Sequence, residues 1–364
     1  MNLDIFVFFL TTFMSLLSFM GFGMFFNRYF LLEDNKNINN QFNFFFLGLV
    51  FILPFSFIYH LLVGSNEIIN LAIIIFGFFY YIYEMKFKGL KLSFFLTLIF
   101  FSGLIISKTH EDFTSYHFQH IKELSDGSIK FGLANLDDRY FYSSIFSYVQ
   151  SLYKLVYFDL RLIHIPIYLF YLSLIGYLWI EILNKKKSYL LVIIIFFIIL
   201  KFKRLSEFGY DYIGQFVLIY LFIEYVLKSK INFIDNTKLI LVYFSTLLIK
   251  VSNLYFIPII IAYFLMQKFS KNLISYKKIL LPTILILFTF SFNSFLKTGC
   301  LNYLIEMTCA SPEKIEWVYN YKNIESTKDL TKNWSRGLYH QKGIKLSESD
   351  YNKNFKWVQN WFNS

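Results

Sequence analysis

The stretch KTHEDFTSYHF, Lys108 to Phe118, places three ionisable side chains, His110, Glu111 and Asp112, directly after an apolar run. Tyr116, His117 and His120 follow within the next turns. A carboxylate in such a place can act as the general base that deprotonates a hydroxyl nucleophile. It can also hold a divalent ion beside phosphate. Asp112 and Glu111 are therefore the candidate catalytic groups, and His110, Tyr116 and His117 candidate substrate contacts. His117 and His120 share one face of a helix, and with His110 and Asp112 they offer a His/carboxylate set for a metal. No HExxH accompanies them, so the set is not firm. A divalent cation such as Mg or Mn, held by Asp112 and His117, is the cofactor that this chemistry would admit. The bland alternative is a solvated loop end.

A second polar interval, KFKRLSEFGYD from Lys201 to Asp211, separates two apolar blocks. Lys203 and Arg204 suit a lipid phosphate or pyrophosphate, the Arg by bidentate contacts. Glu207 and Asp211 lie one turn apart at the start of the next block. Headgroup snorkelling would also account for the basic pair. Lys250, in LLIKVSNLYFIP, breaks an apolar run, and ionisable groups at membrane depth are costly and often functional. Cys300 and Cys309 are the only cysteines, and a disulfide between them suits an oxidising compartment. The Asn333-Trp334-Ser335 sequon is discounted in so Asn-rich a chain.

The elements that hold these residues are expected to be membrane helices. The chain has 364 residues and is 56% hydrophobic, with mean hydropathy +0.49. Its apolar residues come in blocks long enough to span, with few charges. The blocks fall at 4–26, 42–63, 68–84, 92–107, 162–183, 188–202, 212–228, 238–250, 253–268 and 278–295, about ten spans of an all-α protein. The N-terminus, MNLD, lacks a basic n-region, so the first block is expected to stay as a helix. The net charge of +11 is explained by basic loops on one side of the membrane rather than by nucleic acid.

Those loops hold Arg28 and Lys36, then Lys86, Lys88 and Lys91, then Lys185 to Lys187, Lys228, Lys230 and Lys238, and finally Lys268, Lys271, Lys277 and Lys278. They alternate correctly if all are cytoplasmic. The intervals 64–67, 108–161, 201–211, 250–252 and 296–364 then face outward. This requires FYSSIFSYVQSLYKLVYF, 141–158, to lie on the outer leaflet as an interfacial helix. Four parts are expected: a four-span bundle (1–107), an outward loop with a juxtamembrane helix (108–161), a six-span bundle (162–295) and a small polar outward segment (296–364). Gly-rich phosphate loops, CxxC pairs and GxSxG are absent from the sequence, which argues against the usual ATPase, zinc-ribbon and serine-hydrolase readings.

Several of these features together resemble the GT-C glycosyltransferases, multi-pass enzymes that use polyprenyl-phosphate sugars. They are the acidic pair Glu111 and Asp112 after a span, the juxtamembrane SSIFSYVQSLYKLVYF at 143–158, and the span opening at Arg161 and ending in a basic cluster. The short spans joined through Lys250 add to the likeness. More narrowly, HEDFTSYHF, FGLANLDDRYFYSSIFSY, RLSEFGYD and GCLNYLIEMTC resemble an uncharacterised bacterial membrane-protein family associated with surface-polysaccharide gene clusters. The resemblance implies a base or metal ligand at Asp112 or Glu111, with donor phosphate near Arg204 and Lys250. It implies an inverting transfer from a polyprenyl-phosphate sugar to a cell-surface glycan or lipid acceptor, at the outer face of the bacterial cytoplasmic membrane. Two departures stand out. About four spans precede the acidic pair instead of one, and longer relatives continue into further spans. A flippase or other transporter, a polysaccharide polymerase and a non-catalytic truncated relative are the competing expectations. Charges gathered at one face favour surface chemistry over transport, which would bury ionisable groups near the midplane.

Overall fold

The computed structural model describes residues 2–34, 40–105, 112–137, 139–140, 144–184, 188–202, 209–227, 233–266, 273–303, 305–340 and 346–363. Its regular elements among these residues are all helical. In chain order they are α1 (Asn2–Tyr29), α2 (Asn43–Leu62), α3 (Glu67–Met85), α4 (Leu90–Phe100), α5 (Ser102–Ile105), α6 (Phe118–Ser125), α7 (Phe146–Ser151) and α8 (Ile165–Leu183). There follow α9 (Ser188–Leu200), α10 (Asp211–Leu227), α11 (Phe233–Ile249), α12 (Ile257–Met266), α13 (Leu273–Thr298), α14 (Tyr321–Ser335), α15 (Glu348–Asn352) and α16 (Lys356–Asn363).

Among the described residues each apolar block of the sequence carries helix, but the lengths differ. Five stretches among the described residues are long and apolar enough to cross a membrane: Asp4–Tyr29, Asn43–Leu62, Glu67–Met85, Leu160–Leu183 and Leu280–Thr298. The apolar helices Leu90–Phe100, Tyr189–Leu200, Tyr212–Tyr225 and Val251–Ala262 are shorter. At 1.5 Å per residue they fall short of a hydrocarbon layer of about 30 Å.

The described residues form two compact units, Met1–Ile129 with Tyr142–Asn293, and Lys130–Phe141 with Ser294–Ser364. The expected boundary between an N-terminal and a second bundle is not there. Phe45 of α2 stands edge-on to Phe170 of α8 with ring centroids 5.0 Å apart, and Phe46 stacks on Tyr220 of α10 at 3.9 Å. One aromatic core therefore runs through helices from both halves of the chain. Glycines let α1 approach its neighbours: a Cβ on Gly21 would overlap the Gly77 carbonyl of α3, and one on Gly23 the Phe44 carbonyl of α2. Small residues at such crossings are how apolar helices pack without a solvent-driven force.

Polar contacts mark the two ends of the first unit. At one end Arg28 pairs with Glu84 at 2.6 Å and Lys238 with Glu33 at 2.7 Å. There Asn40 Nδ2 donates to Glu181 Oε1 at 3.0 Å. Arg28 and Lys238 belong to the loops expected to be cytoplasmic. At the other end Asn66 caps α3 by accepting from the Ile68 and Ile69 N–H groups, which satisfies donors that a helix start leaves open. Tyr59 donates to Asn70 there at 2.9 Å.

The interfacial helix expected over 141–158 is corrected. Its regular part is α7, and every residue from Phe146 to Ser151 is buried inside the protein. A helix lying on a leaflet would leave one face for lipid. Here the first turn is fastened to α11 instead: the Ile145 N–H donates to the Leu248 carbonyl at 2.9 Å, and Ser144 Oγ does so at 3.3 Å.

The second unit is a small polar fold. The Cys300–Cys309 disulfide is formed, and Ala134, Cys300, Tyr303 and Tyr319 share a buried core. The segment from Lys130 joins it through Gly132 N–H to Leu296 O at 2.8 Å and Asn135 Nδ2 to Trp317 O at 2.9 Å. Ser347 caps α15, and the Ser347 hydroxyl and Lys353 hold the Asp350 carboxyl below its ordinary range. Asn333 of the sequon is buried and bonded to Glu348 and Asn352, so it is closed to modification in this fold.

Candidate functional site

Asp112 leads into a π-helical turn, Phe113–His117, whose C-terminal cap bonds Phe118 N–H to Phe113 O. Such turns widen a helix by one residue and are frequent at functional sites. Asp112 and Tyr116 are half-buried, while Thr114 and Ser115 face outward. His117 is 6% exposed. Its ring meets Tyr116 at 4.1 Å and stands edge-on to Tyr210 at 4.6 Å.

Tyr210 immediately precedes α10, so this contact joins the first polar stretch to the second. A further contact lies on the other side of each. Gly103 of α5 lies against the Phe202 ring, which a Cβ at Gly103 would overlap. Lys201 sits over the rings of Phe197 and Tyr212, at 5.6 and 5.7 Å. The flanks of 106–111 and of 203–208 thus adjoin at both ends. His110, Glu111, Lys203, Arg204 and Glu207 fall outside the described residues. Asp211 opens α10.

Lys250 joins the same group through α10. It caps a 3-10 segment, Val251–Phe256, in an extended conformation. Gly214 of α10 is packed so closely on Asn253 that an added Cβ would lie 2.8 Å from its Nδ2. Asn253 in turn donates to Thr246 O at 3.0 Å and accepts from Tyr243 at 3.2 Å. Asp112, Tyr116, His117, the start of α10 and Lys250 therefore gather at one end of the first unit, away from the Arg28–Glu84 pair.

Of the expected metal set, His110 lies outside the described residues. Among the described residues no group of three His, Cys, Asp or Glu side chains could hold a metal ion. His117 turns to Tyr210, whereas His120 is buried edge-on to Tyr148 of α7, with ring centroids 6.2 Å apart.

Sequence reasoning missed the polar core beneath this end. His60 Nδ1 lies 2.7 Å from Ser56 O, and a carbonyl only accepts, so Nδ1 carries a proton. Nε2 lies 2.7 Å from Ser151 Oγ, whose one proton is shared between the ring and Tyr148 O, 2.8 Å away. That is a nucleophile–base geometry. Both side chains are fully buried, so the pair serves as a tie between α2 and α7. Tyr148 donates to Asn293 of α13 at 2.8 Å, and burial pushes its phenol above the ordinary range. The signal was present as a histidine within an apolar helix.

The other missed group lies at the Arg28–Glu84 end. Tyr177 donates to Glu224 Oε1 at 2.6 Å, and Asn40 bridges the Tyr177 carbonyl and Glu181. Both glutamates are buried, so ionisable groups are not confined to one face of the chain.

The family model of DUF8201, a domain of unknown function, matches residues 5–364. The chain belongs to the DUF8201 family. No curated protein and no solved structure matches it. For this DUF8201 chain the site's chemistry therefore has to come from its own residues: a carboxylate at a π-turn, two histidines in aromatic settings and a lysine at a helix break.

Proposed function

We propose that this chain is a GT-C-like membrane glycosyltransferase of the bacterial cytoplasmic membrane, with about ten helices crossing or entering the bilayer and its site facing outward. The observation that supports it most is the junction of the two polar stretches, with Gly103 against Phe202 on one side and His117 against Tyr210 on the other. Asp112 and Glu111 are taken to work with Lys203 and Arg204, because the described flanks of both stretches meet, and with Lys250.

In this reading Asp112, supported by Glu111, takes the proton from an acceptor hydroxyl. The oxygen attacks the anomeric carbon of the donor sugar as the bond to polyprenyl phosphate breaks. Lys203, Arg204 and Lys250 neutralise the departing phosphate, and His110, Tyr116, His117, Glu207 and Asp211 line the sugar and acceptor. A single displacement inverts the anomeric centre. The described residues do not make a cation set by themselves, and no step here is routed through one. The decisive experiment removes the gene and follows surface glycans. Loss of one glycan, restored by wild type but not by Asp112→Asn, supports the reading. Full restoration by both Asp112→Asn and Glu111→Gln sinks it.

A transport reading is favoured by a different observation, the buried Glu181, Glu224 and Tyr177 group. Buried carboxylates in membrane proteins mark ion and proton pathways. Under that reading a lipid-linked oligosaccharide or small solute crosses the membrane, and Glu224→Gln stops uptake into proteoliposomes while Asp112→Asn does not. Under the transferase reading the two variants behave in the opposite way towards sugar transfer.

A further inference from the structure

Three apolar side chains of the Cys300–Cys309 loop are exposed. Leu301 and Ile305 are about half exposed and Met307 is 95% exposed. Several of its backbone groups, by contrast, are bonded within the loop. Leu301 N–H donates to Thr308 O at 3.1 Å, and Asn302 N–H to Thr308 Oγ1 at 3.0 Å. The Thr308 hydroxyl reaches Ile305 O at 2.7 Å. Internally satisfied backbone is what a segment needs in order to enter an apolar layer.

The base of the loop is fixed to the end of α13. Gly299 N–H bonds Phe295 O at 2.7 Å, Ala310 N–H bonds Gly299 O at 3.0 Å, and Ser294 Oγ bonds Cys300 O at 2.8 Å. The membrane-crossing stretch Leu280–Thr298 has 19 residues, which at 1.5 Å each matches a hydrocarbon layer of about 30 Å. Cys300 follows at once. A loop of this size reaches little more than about 13 Å from its base, comparable with the headgroup layer.

We propose that this loop is a lipid-contacting tip, seated at the headgroup–acyl boundary of the membrane that α13 crosses. The disulfide holds Leu301, Ile305 and Met307 in the outward arrangement, so no ordering is left to be done on contact. Glu306, the loop's charged residue, is exposed and stays among the headgroups. The inference rests on α13 crossing a membrane and is independent of sugar transfer.

The test uses the full chain in phosphatidylcholine/phosphatidylglycerol nanodiscs, with Met307→Trp and, separately, Ile305→Trp. Emission added over wild type is read with lipids brominated near the carbonyl, with deeply brominated lipids and with aqueous iodide. Both tryptophans are expected to lose most of the added emission to the shallow brominated lipid and to resist iodide. Quenching by iodide alone places the loop in water and overturns the proposal. Resistance to all three places it against a second copy or another part of the chain, and overturns it equally. Either variant alone decides the matter should the other fail to fold.

Discussion

His117 stands edge-on to Tyr210, ring centroids 4.6 Å apart with their planes at 86°. The contact ties the π-turn after Asp112 to the residue that precedes α10. Edge-to-face pairs stabilise beyond the area they bury, so this aromatic edge fixes one flank of the two polar stretches, as Gly103 against Phe202 fixes the other. Tyr210→Ala is expected to lower sugar transfer by on the order of 100-fold, the effect of about 1 Å of misplacement. Tyr210→Phe keeps the edge and most of the rate. Initial rates in proteoliposomes against donor concentration check it, with the loss in kcat more than in KM.

The His60–Ser151 bond makes a prediction about stability. Ser151→Ala leaves the buried His60 Nε2 without its partner, at a cost of about 1–3 kcal/mol, whereas in His60→Leu the Ser151 hydroxyl keeps its bond to Tyr148 O and the cost is smaller. The double variant removes both groups and is expected to cost less than the sum of the singles. Denaturation in detergent, followed by tryptophan emission, measures the cycle. Additive costs would show that the two side chains do not act as a pair.

Gly21 admits no side chain, because a Cβ there would overlap the Gly77 carbonyl. Gly21→Val is therefore expected to lose the α1–α3 packing, at the upper end of the about 1–3 kcal/mol typical of overpacking. Gly209→Ala, which meets only His117 Nε2 at 3.8 Å, is expected to fold normally. Size-exclusion profiles in detergent separate the two.

Much of the fold was legible because apolar blocks and basic loops are strong, local signals. The helix starts and ends follow the blocks read from the sequence, and the Arg28–Glu84 and Lys238–Glu33 pairs draw their cations from the loops read as basic. The failures came from long-range packing. The α7 segment reads as amphipathic because Ser147, Gln150 and Ser151 interrupt it, yet all three are buried. Ser151 meets His60, and Gln150 Nε2 donates to Ile163 O at 3.3 Å. Polar residues with partners across the chain are indistinguishable in sequence from polar residues facing water. Glu181 and Glu224 are likewise indistinguishable in sequence from solvated charges near span ends, yet both are buried. The chain sets Asp112 next to the π-turn, but nothing local foretold that His117 would turn to Tyr210 and His120 to Tyr148.

The disulfide closes a short loop, separation 9, for which chain entropy alone amounts to about 2–3 kcal/mol. Cys300→Ser with Cys309→Ser is expected to lower the unfolding free energy of the second unit by that amount, read as a lower midpoint. Reductant should lower wild type to the same midpoint and leave the double variant unmoved. A variant as stable as wild type would mean that the bridge adds nothing to the fold.

The most direct test of the account is transfer by the purified protein in proteoliposomes, given a polyprenyl-phosphate sugar and an acceptor extract. Wild type should form product with inverted anomeric configuration. Asp112→Asn should insert with the same detergent profile and form none. Product from Asp112→Asn at the wild-type rate would contradict the assignment of that carboxylate as the base, and with it the reading of this end of the bundle as a transferase site.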